Sequence, residues 1–146
     1  MAMQGTRKTL KSKLQSAAFQ RTRHDHATEL AADYVELIAD LIDERGQARG
    51  TDVALRLGVA NATVVKMLKR LTDMGLVSQE PYRPIDLTAE GWLMAEHGRK
   101  KHDIVERFLL ALGVGEEVAR IDSEGIEHHV SAETLKAMSR FLARNR

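Results

Sequence analysis

The chain has 146 residues, 22 of them Lys or Arg and 21 Asp or Glu, for a formal net charge of +1, and it contains no cysteine. That length suits one domain, or two small ones sharing a core, and the missing thiols exclude disulfides, zinc–thiolate sites and thiol catalysis. With only 4% aromatic residues and two prolines, helices are favoured over a sandwich or barrel. No apolar run approaches the ~20 residues of a membrane helix, so the expectation is a cytoplasmic chain with no membrane contact.

Residues 1–24 carry Arg7, Lys8, Lys11, Lys13, Arg21 and Arg23 and no acid. A flexible basic arm is expected here, either touching DNA or serving as a solubilising tail. From about His26 to Glu44, the residues Leu30, Tyr34, Leu37, Ile38, Leu41 and Ile42 recur at helical spacing, with Gly46 as the stop. Opposite them lie Asp33, Glu36 and Asp40. Such acids ordinarily serve solubility, but Asp33 and Glu36, three apart, can reach one ion.

Two short helices follow. Thr51 is placed to cap Asp52–Leu57, which Gly58 ends. The second helix runs from Ala60 and is closed by Gly75. It turns Val64, Met67, Leu68 and Leu71 inward, while Thr63, Lys66, Lys69 and Arg70 face away. Helix, Gly-containing turn and cationic second helix make a helix-turn-helix layout. The N-terminal residues of that helix, Asn61, Ala62 and Thr63, would reach base edges, and its Lys and Arg phosphates. The β-prone pieces Leu76–Gln79 and Ile85–Leu87 flank a turn with Pro81 and Pro84. They form a hairpin wing with Arg83 near its tip, facing a phosphate.

Thr88 then caps a helical stretch to Leu112, interrupted by Gly91 and Gly98 and stopped by Gly113. Its second half lines up Ile104, Val105, Phe108, Leu109 and Leu112, with His102 and Glu106 on another face. Next comes Asp122-Ser-Glu-Gly-Ile-Glu-His-His129. On a helix, Glu124, Glu127 and His128 stand at i, i+3 and i+4 and project together. Carboxylate and imidazole without sulfur suit manganese, iron(II) or zinc. A solvated helix face is the plainer account of the same octapeptide. Ser131 caps a last amphipathic helix through Leu135, Met138, Phe141 and Leu142.

Several segments in this order resemble the diphtheria-toxin-repressor-like metal-dependent repressors, and within them the short branch of manganese transport regulators. They are Asp33-Tyr-Val-Glu-Leu-Ile, Val64-x-Lys-Met-Leu-Lys-Arg-Leu, Leu87-Thr-Ala-Glu-Gly, His102-x-Ile-Val-Glu-x-Phe-Leu and Glu124-Gly-Ile-Glu-His-His. The resemblance implies a mainly α fold with a small β-hairpin: a winged helix-turn-helix domain (25–94) and a helical metal-binding and dimerisation domain (95–146). It places the metal ligands on Asp33, Glu36, His102, Glu124, Glu127 and His128, for Mn(II), two ions per subunit, with Fe(II), Co(II) or Zn(II) as alternatives. The implied partners are a double-stranded DNA operator and a second copy of the chain, with no organic cofactor and no enzymatic activity. An iron(II)-responsive repressor of the same fold, or a winged-helix regulator sensing an organic ligand, is the alternative. Two departures stand out. Pro84 occupies a wing position where many relatives have glycine. Ala60 replaces a serine that often caps the recognition helix, so Asn61 is expected to take over the cap. His24, His26, His97 and His129 fall on no ligand position.

Overall fold

A computed structural model of the chain describes residues 2–145, except for the side chains of residues 2–4, 22, 24 and 25. His24, expected at the surface or behind the ligands, therefore lies outside the described side chains. Among the described residues, six helices and one two-stranded sheet follow in order: α1 (Ala2–Arg45), α2 (Gly50–Leu57), α3 (Asn61–Asp73), β1 (Val77–Ser78), β2 (Asp86–Leu87), α4 (Ala89–Ala111), α5 (Glu116–His129) and α6 (Ala132–Arg144). Two compact units result, one ending at Leu30 and the other beginning at Ala31. The first is helical throughout its described length, where the sequence suggests a flexible arm. Among the described residues no helix is long and apolar enough to cross a membrane.

In the second unit, α1 buries Ala31, Tyr34, Val35, Ile38, Ala39 and Leu41. Leu37 and Ile42 pack at the margin and Leu30 is exposed, so the buried face is turned slightly from the expected stripe. On α3 all four expected positions, Val64, Met67, Leu68 and Leu71, are buried. They meet Val53 and Ala54 of α2, Leu76 and Val77, and Ile85 and Leu87 in one core. Burial of this many branched side chains, each contributing about 1.5–3 kcal/mol, is what holds the short α2 and α3 helical.

The caps differ from expectation. Arg49, not Thr51, is the N-cap of α2, which starts at Gly50, and no side chain caps it. Ala60 keeps the N-cap of α3 rather than yielding it to Asn61: the Thr63 and Val64 amides donate to its carbonyl at 3.0 and 3.3 Å. A side-chain oxygen already inside the first turn cannot reach the first amides, so the presence of Thr51 or Asn61 does not move the start. Gly58 ends α2 in the left-handed region, as its position implies.

The wing pairs Val77 with Leu87 and Ser78 with Asp86, antiparallel, and Ala48 bridges Ile85. Its turn contains Tyr82 at φ +64°, a left-handed residue that costs about 1–3 kcal/mol in an L-amino acid. The role a glycine would play near Pro84 thus falls to an aromatic two residues earlier.

The helix α4 is continuous, and neither Gly91 nor Gly98 interrupts it. Both glycines mark close approaches instead. A Cβ on Gly91 would run into the backbone carbonyl of Leu76, and one on Gly98 into the carboxyl of Glu36. The Thr88 hydroxyl accepts from the Gly91 amide at 3.1 Å and donates to the Gly75 carbonyl at 2.6 Å. Thr88 therefore caps α4 and fastens it to the chain just after α3. Arg99 of α4 reaches Asp40 at 2.7 Å and Asp43 at 2.9 Å on α1. Further along, Phe108 meets Phe141 of α6 edge to face, with centroids 5.3 Å apart. Ser131 caps α6 by accepting from the Thr134 amide.

Candidate metal centre and nucleic-acid interface

Three helices converge on one polar cluster: α1 brings Asp33 and Glu36, α4 brings His102, and α5 brings Glu124, Glu127 and His128. The α5 residues share a face because Ala119, Ser123 and Glu127, at successive i+4 steps, are that helix's buried residues. Glu127 is only 3% exposed. His128 Nε2 lies 3.1 Å from Asp33 Oδ1 and 3.5 Å from Glu127 Oε1. His102 Nδ1 lies 3.1 Å from Glu127 Oε2. That oxygen nevertheless has no hydrogen-bond partner, nor has the buried Glu36 Oε1: the His102 contact has the distance of an ion pair without the alignment of a hydrogen bond.

The electrostatics bind Glu36 and Glu124 into the same cluster. Burial, then the charges of Asp33 and Asp40, push the Glu36 carboxyl up to about 7, against the pull of Arg99 and with a further push from Glu124. Burial, then Glu36, Asp33 and Glu124, push Glu127 up to about 8, with Lys101 opposing. Glu124 itself is exposed. Four carboxylates near two imidazoles repel one another, and Glu36 and Glu127 each keep one buried oxygen without a hydrogen-bond donor. A divalent cation fits such a set of oxygen and nitrogen donors, and Asp33 and His128 offer ligand atoms within 4.8 Å of each other.

Three contributors around the cluster were given no part in it from the sequence. Glu106 Oε2 is 3.0 Å from His102 Nε2, and its i+4 spacing from His102 was the available signal. Ser123, fully buried, donates to the Arg120 carbonyl at 2.9 Å and lies 3.4 Å from His102 Nδ1. Gly98 leaves room for the Glu36 carboxyl. His26, His97 and His129 are exposed.

Away from the buried Val64, Met67, Leu68 and Leu71, the residues Asn61, Ala62, Thr63, Lys66, Lys69 and Arg70 are all exposed on α3. Arg83 projects from the wing turn, 3.3 Å from Glu80. A cleft of about 310 Å³ between α2, α3 and the wing is lined by Arg49, Thr51, Asn61, Val65, Tyr82 and Arg83 among others. Of these, Val65 is 66% and Tyr82 fully exposed. Neither was singled out from the sequence, since an isolated Val or Tyr carries no periodic signal.

A winged helix-turn-helix joined by one long helix to a carboxylate–imidazole cluster is the arrangement of a metal-dependent transcriptional regulator. The chain belongs to the iron-dependent repressor family: residues 26–85 match its N-terminal DNA-binding domain and residues 88–146 its metal-binding and dimerisation domain. It is 57% identical over 123 residues to the transcriptional regulator MntR of Escherichia coli O157:H7, covering 84% of this chain and 79% of that one. The MntR of Salmonella typhimurium strain LT2 is 54% identical over the same length. Among solved structures, the manganese regulator SloR superposes with a TM-score of 0.68 at 25% identity, over 77% of this chain. A manganese-dependent transcriptional repressor in complex with manganese gives 0.69 at 25% identity. The chain spans about half the length of each of those two.

Proposed function

We propose that this regulator responds to manganese(II) and, when metal is plentiful in the cytoplasm, represses genes for metal uptake. The reading rests on one observation: six oxygen and nitrogen side chains from α1, α4 and α5 meet with two buried carboxylate oxygens left unsatisfied. Asp33, Glu36, His102, Glu124, Glu127 and His128 would hold the metal. Their four carboxylates carry −4 when ionised, which two divalent ions per subunit balance, with the imidazoles neutral. A bound cation supplies the positive charge that turns this mutual repulsion into attraction.

Residues 25–94 serve as the reading head and 95–146 as the metal-binding and pairing half. Asp33 and Glu36 belong to the former and the other four ligands to the latter, so drawing the cluster together fixes the head on the pairing half. Val118 and Ile121 of α5 and Leu110 and Leu112 at the end of α4 are exposed in the single chain, and a second copy would cover them. In the homodimer two α3 helices must reach major grooves about 34 Å apart, or a multiple of that. Asn61, Ala62 and Thr63 then meet base edges, and Lys66, Lys69, Arg70 and Arg83 meet phosphates. Converting a mostly open population to a mostly closed one takes about 5.5 kcal/mol of differential binding, and by reciprocity operator DNA tightens metal binding.

Operator affinity titrated with Mn(II), Fe(II), Co(II) and Zn(II) at one salt concentration tests the reading. Manganese should raise affinity at least tenfold over chelator, and Glu127→Ala should lose that response while staying folded and dimeric. A Glu127→Ala protein that still responds to manganese sinks the ligand assignment. A response to iron(II) alone moves the protein to the iron-sensing reading, and indifference to chelator to an organic-ligand sensor. The chain is read as a regulator and not a hydrolase; metal-dependent turnover of phosphate esters would reverse that.

A further inference from the structure

The six basic residues of 1–24 have no acid among them, so the rest of the chain carries 16 Lys and Arg against 21 Asp and Glu. A net acidic body must bind a polyanion through local basic surfaces, and residues 1–24 are the longest acid-free stretch of the sequence. It also lies outside both family matches, the first of which begins at residue 26. Arg7, Lys8, Lys11, Lys13, Arg21 and Arg23 all lie on α1 and are all exposed. At about 100° per residue, Arg7, Lys8, Lys11 and Arg21 fall within roughly 140° of one another around the axis. Arg7 and Lys11 stack at i and i+4, where like charges cost a helix about 0.2–0.5 kcal/mol. With no acid in the segment to offset that cost, an anionic surface alongside would relieve it.

From Arg7 to Arg23 the helix advances about 24 Å, comparable to roughly seven base pairs of duplex at 3.4 Å each. We propose that this basic helix is a second, sequence-independent contact to the DNA phosphate backbone, one that needs no metal. The inference rests on the reading of the chain as a DNA-binding regulator but not on which metal it senses.

The test compares the full-length protein with the variant K8Q/K11Q/K13Q/R21Q and the charge-conserving K8R/K11R/K13R. Binding to a 30-base-pair duplex of arbitrary sequence is measured in chelator between 50 and 200 mM salt. Each phosphate contact contributes about 0.9 to the slope of log K against log salt. The Gln variant should therefore have a slope shallower by about 2–4 and roughly tenfold weaker binding at the low-salt end, and the Arg variant should match the parent. An unchanged slope in the Gln variant, with helicity intact by circular dichroism, overturns the proposal. So does parent binding to phosphatidylserine vesicles that the Gln variant loses while its DNA slope stays the same, which would make a membrane surface the partner. Operator binding with manganese, run alongside, separates the two claims. If it stays metal-dependent while the slope is unchanged, only the arm proposal falls. If it shows no metal dependence, the functional reading falls, and the chelated-duplex slope still decides the arm.

Discussion

Replacing Glu127 by Gln in the metal-free protein should stabilise it at alkaline pH and leave it almost unaffected in acid. The Glu127 carboxyl holds its proton up to about 8 in the folded chain, against 4.5 ordinarily. Folded and unfolded chains are both protonated below about 4.5, so the folded state has its full stability there. As pH rises, the unfolded chain releases this proton first, and stability falls until the folded carboxyl ionises near 8. A displacement from 4.5 to about 8 corresponds to at most about 5 kcal/mol. Glu36, pushed up to about 7 by the same neighbourhood, shares that penalty, and loosening of the site absorbs part of it, leaving about 2–4 kcal/mol. For a chain of this length that corresponds to roughly 6–12 °C in melting temperature. Thermal unfolding followed by circular dichroism in chelator at pH 5 and pH 8.5 measures it. Glu127→Gln should melt within about 2 °C of the parent at pH 5 and well above it at pH 8.5. Manganese added at neutral pH should raise only the parent's midpoint, since binding to the folded state alone stabilises by mass action. A variant less stable than the parent at pH 8.5 would refute the idea that charge crowding strains this site.

Gly91→Ala should destabilise the protein by about 1–3 kcal/mol or more, because the new methyl meets the fixed Leu76 carbonyl; a denaturant midpoint shift reads this. Thr88→Val should cost about 1–2 kcal/mol, as the Gly91 amide and Gly75 carbonyl both lose a partner, measurable in the same titration. Lys66→Ala should weaken DNA binding across all sequences and flatten the salt dependence by about one unit, while calorimetry shows metal uptake unchanged.

Period and spacing carried much of this structure into the sequence. The inward residues of α3 could be read because four branched or long apolar side chains recur at helical intervals and nothing else competes for that face. Glu124, Glu127 and His128 were legible as a group for the same reason. Asp33 and Glu36 could be read only as a pair three apart able to reach one ion: spacing does not separate such a face from a solvated one, and what gathers it into a cluster is the fold, which brings His128 within 3.1 Å of Asp33. The continuity of α4 was misread because glycine's local preference points to a break. What decides Gly91 is a carbonyl from Leu76 that occupies the space of a side chain. The caps of α2 and α3 lie two residues and one residue earlier than expected for a related cause, since backbone entry geometry, and not the presence of a hydroxyl or amide, sets the cap. Tyr82 at positive φ has no sequence signature at all.

The unbroken α4 also fixes a phase. From the Thr88 anchor to His102 the helix makes nearly four turns without a break, so the sensor's azimuth is geared directly to the DNA-reading end. Inserting a single residue between Thr88 and His102 would swing the imidazole by about 100°, out of line with α5, although every proposed ligand would still be present. Grafting this sensor onto another reading head would therefore have to preserve whole helical turns along the spine, and linker length alone would not suffice.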